Sequence, residues 1–201
     1  MTPSTSGGKR RRLGLLLAGL GLTAAAGLTV LPTADITPVA GTAVSGNLQF
    51  TQLKQVQNQW CWAASGLSIA QFRGKGAGVS QNEFCNKAHG YPAGTACPNQ
   101  PDTLQTVQRG FQAIGLGAGS VSGSSIPFAT VKSNIDAGKP IETGIYWTAG
   151  GGHAQVIYGY NGQTMAYGDP WPQSPTYNEM DYNSYVSNGE FQWGDALYNV
   201  G

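Results

Sequence analysis

The sequence predicts an α+β domain in which helices come first and antiparallel strands follow. Two observations carry this. Between residues 61 and 137 apolar residues recur at three- and four-residue spacing behind helix-starting residues, and from Lys139 onward the chain alternates as strands do. A length of 201 residues leaves room for one ordinary domain plus a leader.

The leader comes first. Lys9, Arg10, Arg11 and Arg12 form a positive cluster, and Leu13 to Val30 run uncharged, apolar and small. That pattern predicts the n-region and h-region of an export signal. The apolar run is long enough to raise a membrane anchor. It is rich in Ala and Gly, however, and a Pro/Thr/Ala/Gly stretch follows from Pro32 to Gly46, which favours cleavage over retention. The adjacent arginines fit the twin-arginine route and a strongly basic general signal alike. Ala43-Val44-Ser45 meets the small-x-small cleavage rule and Val39-Ala40-Gly41 meets it less well, so the leader is set at residues 1–45 and the secreted domain at 46–201.

That domain keeps seven of the eleven basic residues and nine of the ten acidic ones, a formal charge of −2. Such a balance supplies neither a basic stripe for nucleic acid nor a polybasic patch for a membrane surface. A chain of about 155 residues buries a real core without many staples. No cofactor is implied, and the expected state is a monomer acting on a protein or peptide.

From Trp62 the pattern turns helical, with Ala63, Leu67, Ala70 and Gln71 recurring until Gly74, Gly76 and Gly78 end it. Ser80-x-x-Glu83 reads as a capping box opening a short helix to Ala88. Asp102 caps a stretch from Thr103 to Ile114, and Pro127 with Gly138 frames Phe128 to Ala137. Lys139-Pro140-Ile141 then begins a strand to Thr148. His153 to Tyr160 alternates as a second strand, Asn161-Gly162 supplies the turn, and Gln163 to Asp169 returns until Pro170 limits pairing. Asp181 to Tyr185 forms a short ordered segment and Phe191 to Val200 a closing strand. A site is expected in the cleft between the helical and stranded parts.

Cys61, Cys85 and Cys97 are odd in number, so at most one intrachain pair forms. Cys85 and Cys97 flank a turn-rich loop suited to a disulfide, worth about 2–3 kcal/mol through restriction of the unfolded chain. A metal held by Cys85, His89 and Cys97 is the alternative, and it lacks a clear fourth ligand. Cys61 is then the leftover thiol, at the first turn of a helix, where free N–H groups and the positive dipole end favour a thiolate.

A thiolate nucleophile needs a base, and the chain has two histidines. His89 lies in the loop between Cys85 and Cys97 and is expected at the surface with no acidic partner. His153 follows Gly150-Gly151-Gly152 and opens a strand whose hairpin partner ends at Asp169. A three-residue loop over Tyr160, Asn161 and Gly162 sets His153 opposite Asp169 on one face. A two-residue Asn-Gly loop slips the register by one and puts the two side chains on opposite faces. The function requires the longer loop, and the sequence does not choose.

Gln55-x5-Cys61-Trp62-Ala63-x-Ser65 resembles the nucleophile segment of the papain-like cysteine peptidases. Trp60-Cys61-Trp62-Ala63-Ala64-Ser65 is most similar to the bacterial secreted branch with avirulence-type effectors. Papain carries a cysteine three residues before the nucleophile, where this chain has Asn58. The resemblance implies a reduced two-lobed fold, with Cys61 as nucleophile, His153 as base and Asp169 as the residue orienting it. It further implies Gln55 as a side-chain oxyanion donor beside the Cys61 N–H; Gln57 and Gln59 are alternatives less favoured by spacing. Asp169-Pro170-Trp171 is similar to the family's Asn-Ser-Trp, with Trp171 shielding the His–Asp hydrogen bond. Trp62, Trp171 and Gly152 are expected to meet substrate, with the Gly150–Gly152 run as a mobile rim of the cleft. Peptide hydrolysis is the expected activity; a transglutaminase or amidase on the same triad and a non-catalytic binding effector are the alternatives.

Overall fold

The computed structural model describes residues 45–201. The basic cluster and apolar run of the predicted leader lie outside them. Three helices come first: α1 (Cys61–Phe72), α2 (Gln81–His89) and α3 (Leu104–Ala113). Each begins for a local reason. Ser80 Oγ accepts the Glu83 N–H at 3.1 Å, the first half of the expected capping box. The second half is not made, because the Glu83 carboxylate turns to Lys87 one helical turn on. At α3 the cap falls one residue later than expected, on Thr103. Asp102 instead accepts the Thr103 N–H at 2.8 Å and the Thr106 hydroxyl. A fourth helix, α4 (Phe128–Asp136), starts directly after Pro127.

The second half is a curled antiparallel sheet. In chain order its strands are β1 (Ser45–Asn47), β2 (Ser120–Ser122), β3 (Ile141–Trp147), β4 (Gly152–Asn161), β5 (Thr164–Gly168), β6 (Tyr177–Asp181) and β7 (Phe191–Tyr198). They lie side by side as β2-β7-β3-β4-β5-β6, and β1 pairs with β4 at Gly159–Asn161, past the end of β3. The short strands β1 and β2 carry no alternating apolar pattern and were not expected from the sequence.

Two cores lie on the two faces of this sheet. Helices α1 to α3 pack Trp62, Leu67, Phe84, Val107 and Phe111 against Ala154, Val156 and Leu197. On the other face Ile141, Ile145, Ile157, Met165 and Trp193 enclose Tyr185, which comes from the short helix α5 (Tyr182–Val186). Each fully buried large apolar side chain contributes about 1.5–3 kcal/mol of transfer free energy.

The β4–β5 hairpin corrects the expected register. Its loop is the two residues Gly162 and Gln163, with Asn161 paired to Thr164. The three-residue loop over Tyr160–Gly162 is therefore absent. Uninterrupted, that register would put Asp169 opposite Val156 and face it away from His153. The ladder instead slips between Ile157 and Gly159, leaving Tyr158 as an extra residue. Val156 then pairs with Gly168, and the next step sets Gln155 opposite Asp169. Gln155 and His153 are two residues apart and share a face, so the bulge restores what the short loop would have lost.

Candidate active site

Cys61 is the first residue of α1 and the free thiol of the chain. Its N-cap, Trp60, supplies no side-chain acceptor, so the positive end of the helix stays uncapped beside the sulfur. The two flanking indoles fix this end. Trp60 Nε1 donates to the Pro98 carbonyl at 3.0 Å and Trp62 Nε1 to the Gln100 carbonyl at 3.1 Å. Both carbonyls follow closely on Cys97, which is disulfide-bonded to Cys85 in α2. That bond removes Cys85 and Cys97 from metal ligation.

His153 Nε2 and Asp169 Oδ1 are 2.8 Å apart, with both side chains about nine-tenths buried. Burial works against the imidazolium. Hydrogen bonds to Asp169 and Cys61, with the negative charges of both, overcome it and raise the His153 pKa to about 9. Nε2 faces the carboxylate, which leaves Nδ1 for the sulfur. Burial also opposes the Asp169 carboxylate. The His153 hydrogen bond and charge, the Trp171 N–H at 2.7 Å and the Gln155 amide at 3.0 Å together hold its pKa below the ordinary range.

Behind Asp169 runs a buried relay. Gln155 Nε2 donates to Asp169 Oδ2, Tyr185 Oη donates to Gln155 Oε1 at 2.9 Å, and Tyr185 is bonded to Thr143 Oγ1 at 2.7 Å. With Gln155 locked at both ends of its amide, the carboxylate has one orientation. The backbone around Asp169 is tied down as well. Lys54 Nζ donates to the carbonyls of Asp169, Trp171 and Ser174 at 3.1, 2.9 and 2.9 Å, and Gln55 N donates to Pro170 O at 2.8 Å.

Cys61, Trp62, Gly152, His153, Asp169 and Trp171 line one cleft of about 700 Å³ between the helices and the sheet. Gln55 is buried outside its lining: Nε2 donates to the Gln57 carbonyl at 2.9 Å and Oε1 has no partner. Asn58 and Gln59 line the cleft beside Cys61. Trp171 contributes its backbone N–H to Asp169, while the indole stacked on His153 is Trp147, with ring centres 6.3 Å apart. The glycine rim is stitched by backbone bonds between Trp147 and both Gly150 and Gly151.

His89 departs from its expected isolation. Its Nε2 lies 2.8 Å from Asp102 Oδ2, and its ring stacks on Tyr91 and meets Trp62 edge-on. Sequence reasoning missed Gln155, Tyr185, Lys54 and Trp147. Gln155 alone had a signal, since alternation puts it on the face of His153.

Among solved structures, the peptidase domain of Streptococcus ComA, a bi-functional ABC transporter involved in a quorum-sensing pathway, superposes with a TM-score of 0.57 at 17% identity. The match covers 76% of this chain and 96% of that one, which shows a shared papain-like fold. No curated protein matches the chain at a significant level. The family model described as papain-like cysteine protease AvrRpt2 matches residues 40–190, and with most of its length so matched the chain belongs to that family.

Proposed function

We propose that the protein is a secreted peptidase that cleaves peptide bonds through a Cys61 thioester. The observation that carries this reading is the line from Cys61 at an uncapped helix end, through His153, to a carboxylate held by three donors. The thiolate attacks the scissile carbonyl carbon, the S–C bond forms, and the carbonyl electrons move onto oxygen. Collapse breaks the C–N bond, and the His153 imidazolium gives its proton to the leaving amine. Water then attacks the thioester while His153 takes a proton from it, and the acid leaves as the thiolate returns. Asp169 keeps the imidazole in the required tautomer and stabilises its charged form.

The oxyanion needs donors about 3 Å from the developing charge. The Cys61 N–H at the helix start is one. The Gln55 amide carries two N–H groups and the Gln57 carbonyl uses one of them, which leaves an N–H for the oxyanion; Gln59, which lines the cleft, is the rival donor. Export is supported by the Lys9–Arg12 cluster ahead of the apolar run, and by a disulfide suited to an oxidising compartment. The substrate is a protein or peptide, and the chain acts as a monomer. Cys61→Ala tests the reading: turnover of a peptide substrate disappears while the circular dichroism spectrum stays native. Hydrolysis at the wild-type rate in that variant would overturn it.

A further inference from the structure

Three carboxylates line the cleft, Asp102, Asp169 and Asp195, against one basic side chain, His153; no lysine or arginine lines it among the described residues. Asp169 is matched by His153 and Asp102 by His89. Asp195 has no basic partner among the described residues; Tyr146 Oη donates to its Oδ2 at 2.9 Å, and Oδ1 is buried without a hydrogen bond.

The backbone is shaped to hold Asp195 there. The β3–β7 ladder slips between Gly144 and Ile145, pairing Gly144 with Asp195 and Ile145 with Trp193, so Gly194 is an extra residue. Without that bulge Asp195 would stand opposite Thr143 and point into the Tyr185 core. Two glycines make the space. A Cβ at Gly144 would collide with the Asp195 carboxylate, and a Cβ at Gly194 with the Tyr146 ring. On the same face of β3, Glu142 is fully buried and neither of its oxygens has a partner. Gly144, the strand partner of Asp195, is two residues from Glu142, so both stand on this face of the sheet.

We propose that this end of the cleft is a subsite for a cationic side chain of the peptide substrate, lysine or arginine, with Asp195 as its counter-ion. The cation meets the one cleft carboxylate that the protein leaves unmatched, and the Tyr146 ring covers the aliphatic stem of the incoming residue. An acidic substrate side chain at this position is repelled by Asp195. This rests on peptide hydrolysis at Cys61.

The test uses the full chain, with active enzyme counted by stoichiometric alkylation of Cys61. Peptides are varied one position at a time among lysine, arginine, norleucine and glutamate. The expected result is one position at which lysine or arginine exceeds norleucine roughly tenfold or more in kcat/KM, and glutamate falls below norleucine. Asp195→Asn brings the lysine-to-norleucine ratio close to one. In the wild-type protein the ratio also shrinks as salt is raised from about 0.05 to 1 M, which reads the charge even if the variant fails to fold. Cleavage with no cation preference at any position overturns the subsite alone, as does a preference indifferent to salt or undiminished in Asp195→Asn. Cleavage of no peptide at all overturns the hydrolytic reading and the subsite together.

Discussion

His153 and Asp169 meet at 2.8 Å across a diagonal of the β4–β5 hairpin, because the residue opposite Asp169 is Gln155. Two departures from a plain hairpin cancel. The Gly162-Gln163 loop is one residue too short for the pair to share a face, and the bulge at Tyr158 gives that residue back. The diagonal has a chemical consequence. Directly opposed, His153 would take the place of Gln155; displaced by two, it leaves room for an amide that donates to the second carboxylate oxygen.

That arrangement makes Asp169 testable through pH. Burial lowers the His153 pKa, and hydrogen bonds and charges from Asp169 and Cys61 raise it to about 9. The imidazolium thus persists to about pH 9, and kcat/KM holds to that point and falls above it. Asp169→Asn keeps an oxygen for the imidazole N–H and loses the charge. Its alkaline limb should move to lower pH, with about tenfold lower kcat/KM. Asp169→Ala loses the acceptor too and should fall by roughly a hundredfold or more. Rate profiles for the three proteins decide it; an unmoved alkaline limb in both variants contradicts the assigned role.

Gln55 and Gln59 compete for the oxyanion. Gln55 has the expected spacing and lies outside the cleft lining, whereas Gln59 lines it. If Gln55 is the donor, Gln55→Ala reduces kcat by about 10²–10³ with little change in KM. Gln59→Ala then stays within a fewfold of wild type. The reverse order of losses, in steady-state kinetics on one peptide, would assign the role to Gln59.

How much of this was legible beforehand follows from the range of the interactions. Cys61, His153 and Asp169 stand in local patterns: a helix start, an alternating strand, a residue before proline. The α+β order and the Cys85–Cys97 bond were legible for the same reason. The hairpin register was not, because a bulge at Tyr158 is decided by which side chains fit the two cores, with Ile157 and Tyr160 both on the far face. Lys54 was silent, since nothing near residue 54 announces three carbonyls more than 110 residues away. His89 read as isolated because its partner Asp102 lies across the disulfide loop.

Lys54 gives a prediction of its own. Its ammonium holds three carbonyls of the segment that carries Asp169 and Trp171. Lys54→Met keeps most of the stem and removes the donors, leaving those carbonyls to water. The expected losses are about 1–3 kcal/mol of stability and a drop in kcat, because Asp169 loses its fixed backbone. Lys54→Arg should recover part of both. Chemical denaturation and steady-state rates, read on the same preparations, separate this from a surface lysine, whose replacement would change neither by much.

Opening the disulfide should act on Cys61 from a distance. The Pro98 and Gln100 carbonyls that anchor the Trp60 and Trp62 indoles follow directly on Cys97. A paired Cys85→Ala and Cys97→Ala variant loses about 2–3 kcal/mol, and the start of α1 loosens. Thermal unfolding should show the first effect and slower alkylation of Cys61 the second. Alkylation at an unchanged rate would mean that the indoles hold the helix start without the disulfide.

Glu142 gives the sharpest stability prediction. Burial first, then the charges of Cys61 and Asp195, push its pKa well above the ordinary carboxylate value. In the folded chain the group therefore holds its proton at pH values where the unfolded chain has released it. The folded state then binds more protons, so this residue makes the protein less stable as pH rises from about 4.5 toward the folded pKa. Glu142→Gln removes that dependence without adding bulk. Its melting temperature should exceed wild type at pH 8, by an amount corresponding to roughly 1–3 kcal/mol, and the difference should vanish below about pH 4.5, where both states are protonated. A variant that melts lower at pH 8 would mean the carboxylate is held by a partner in solution.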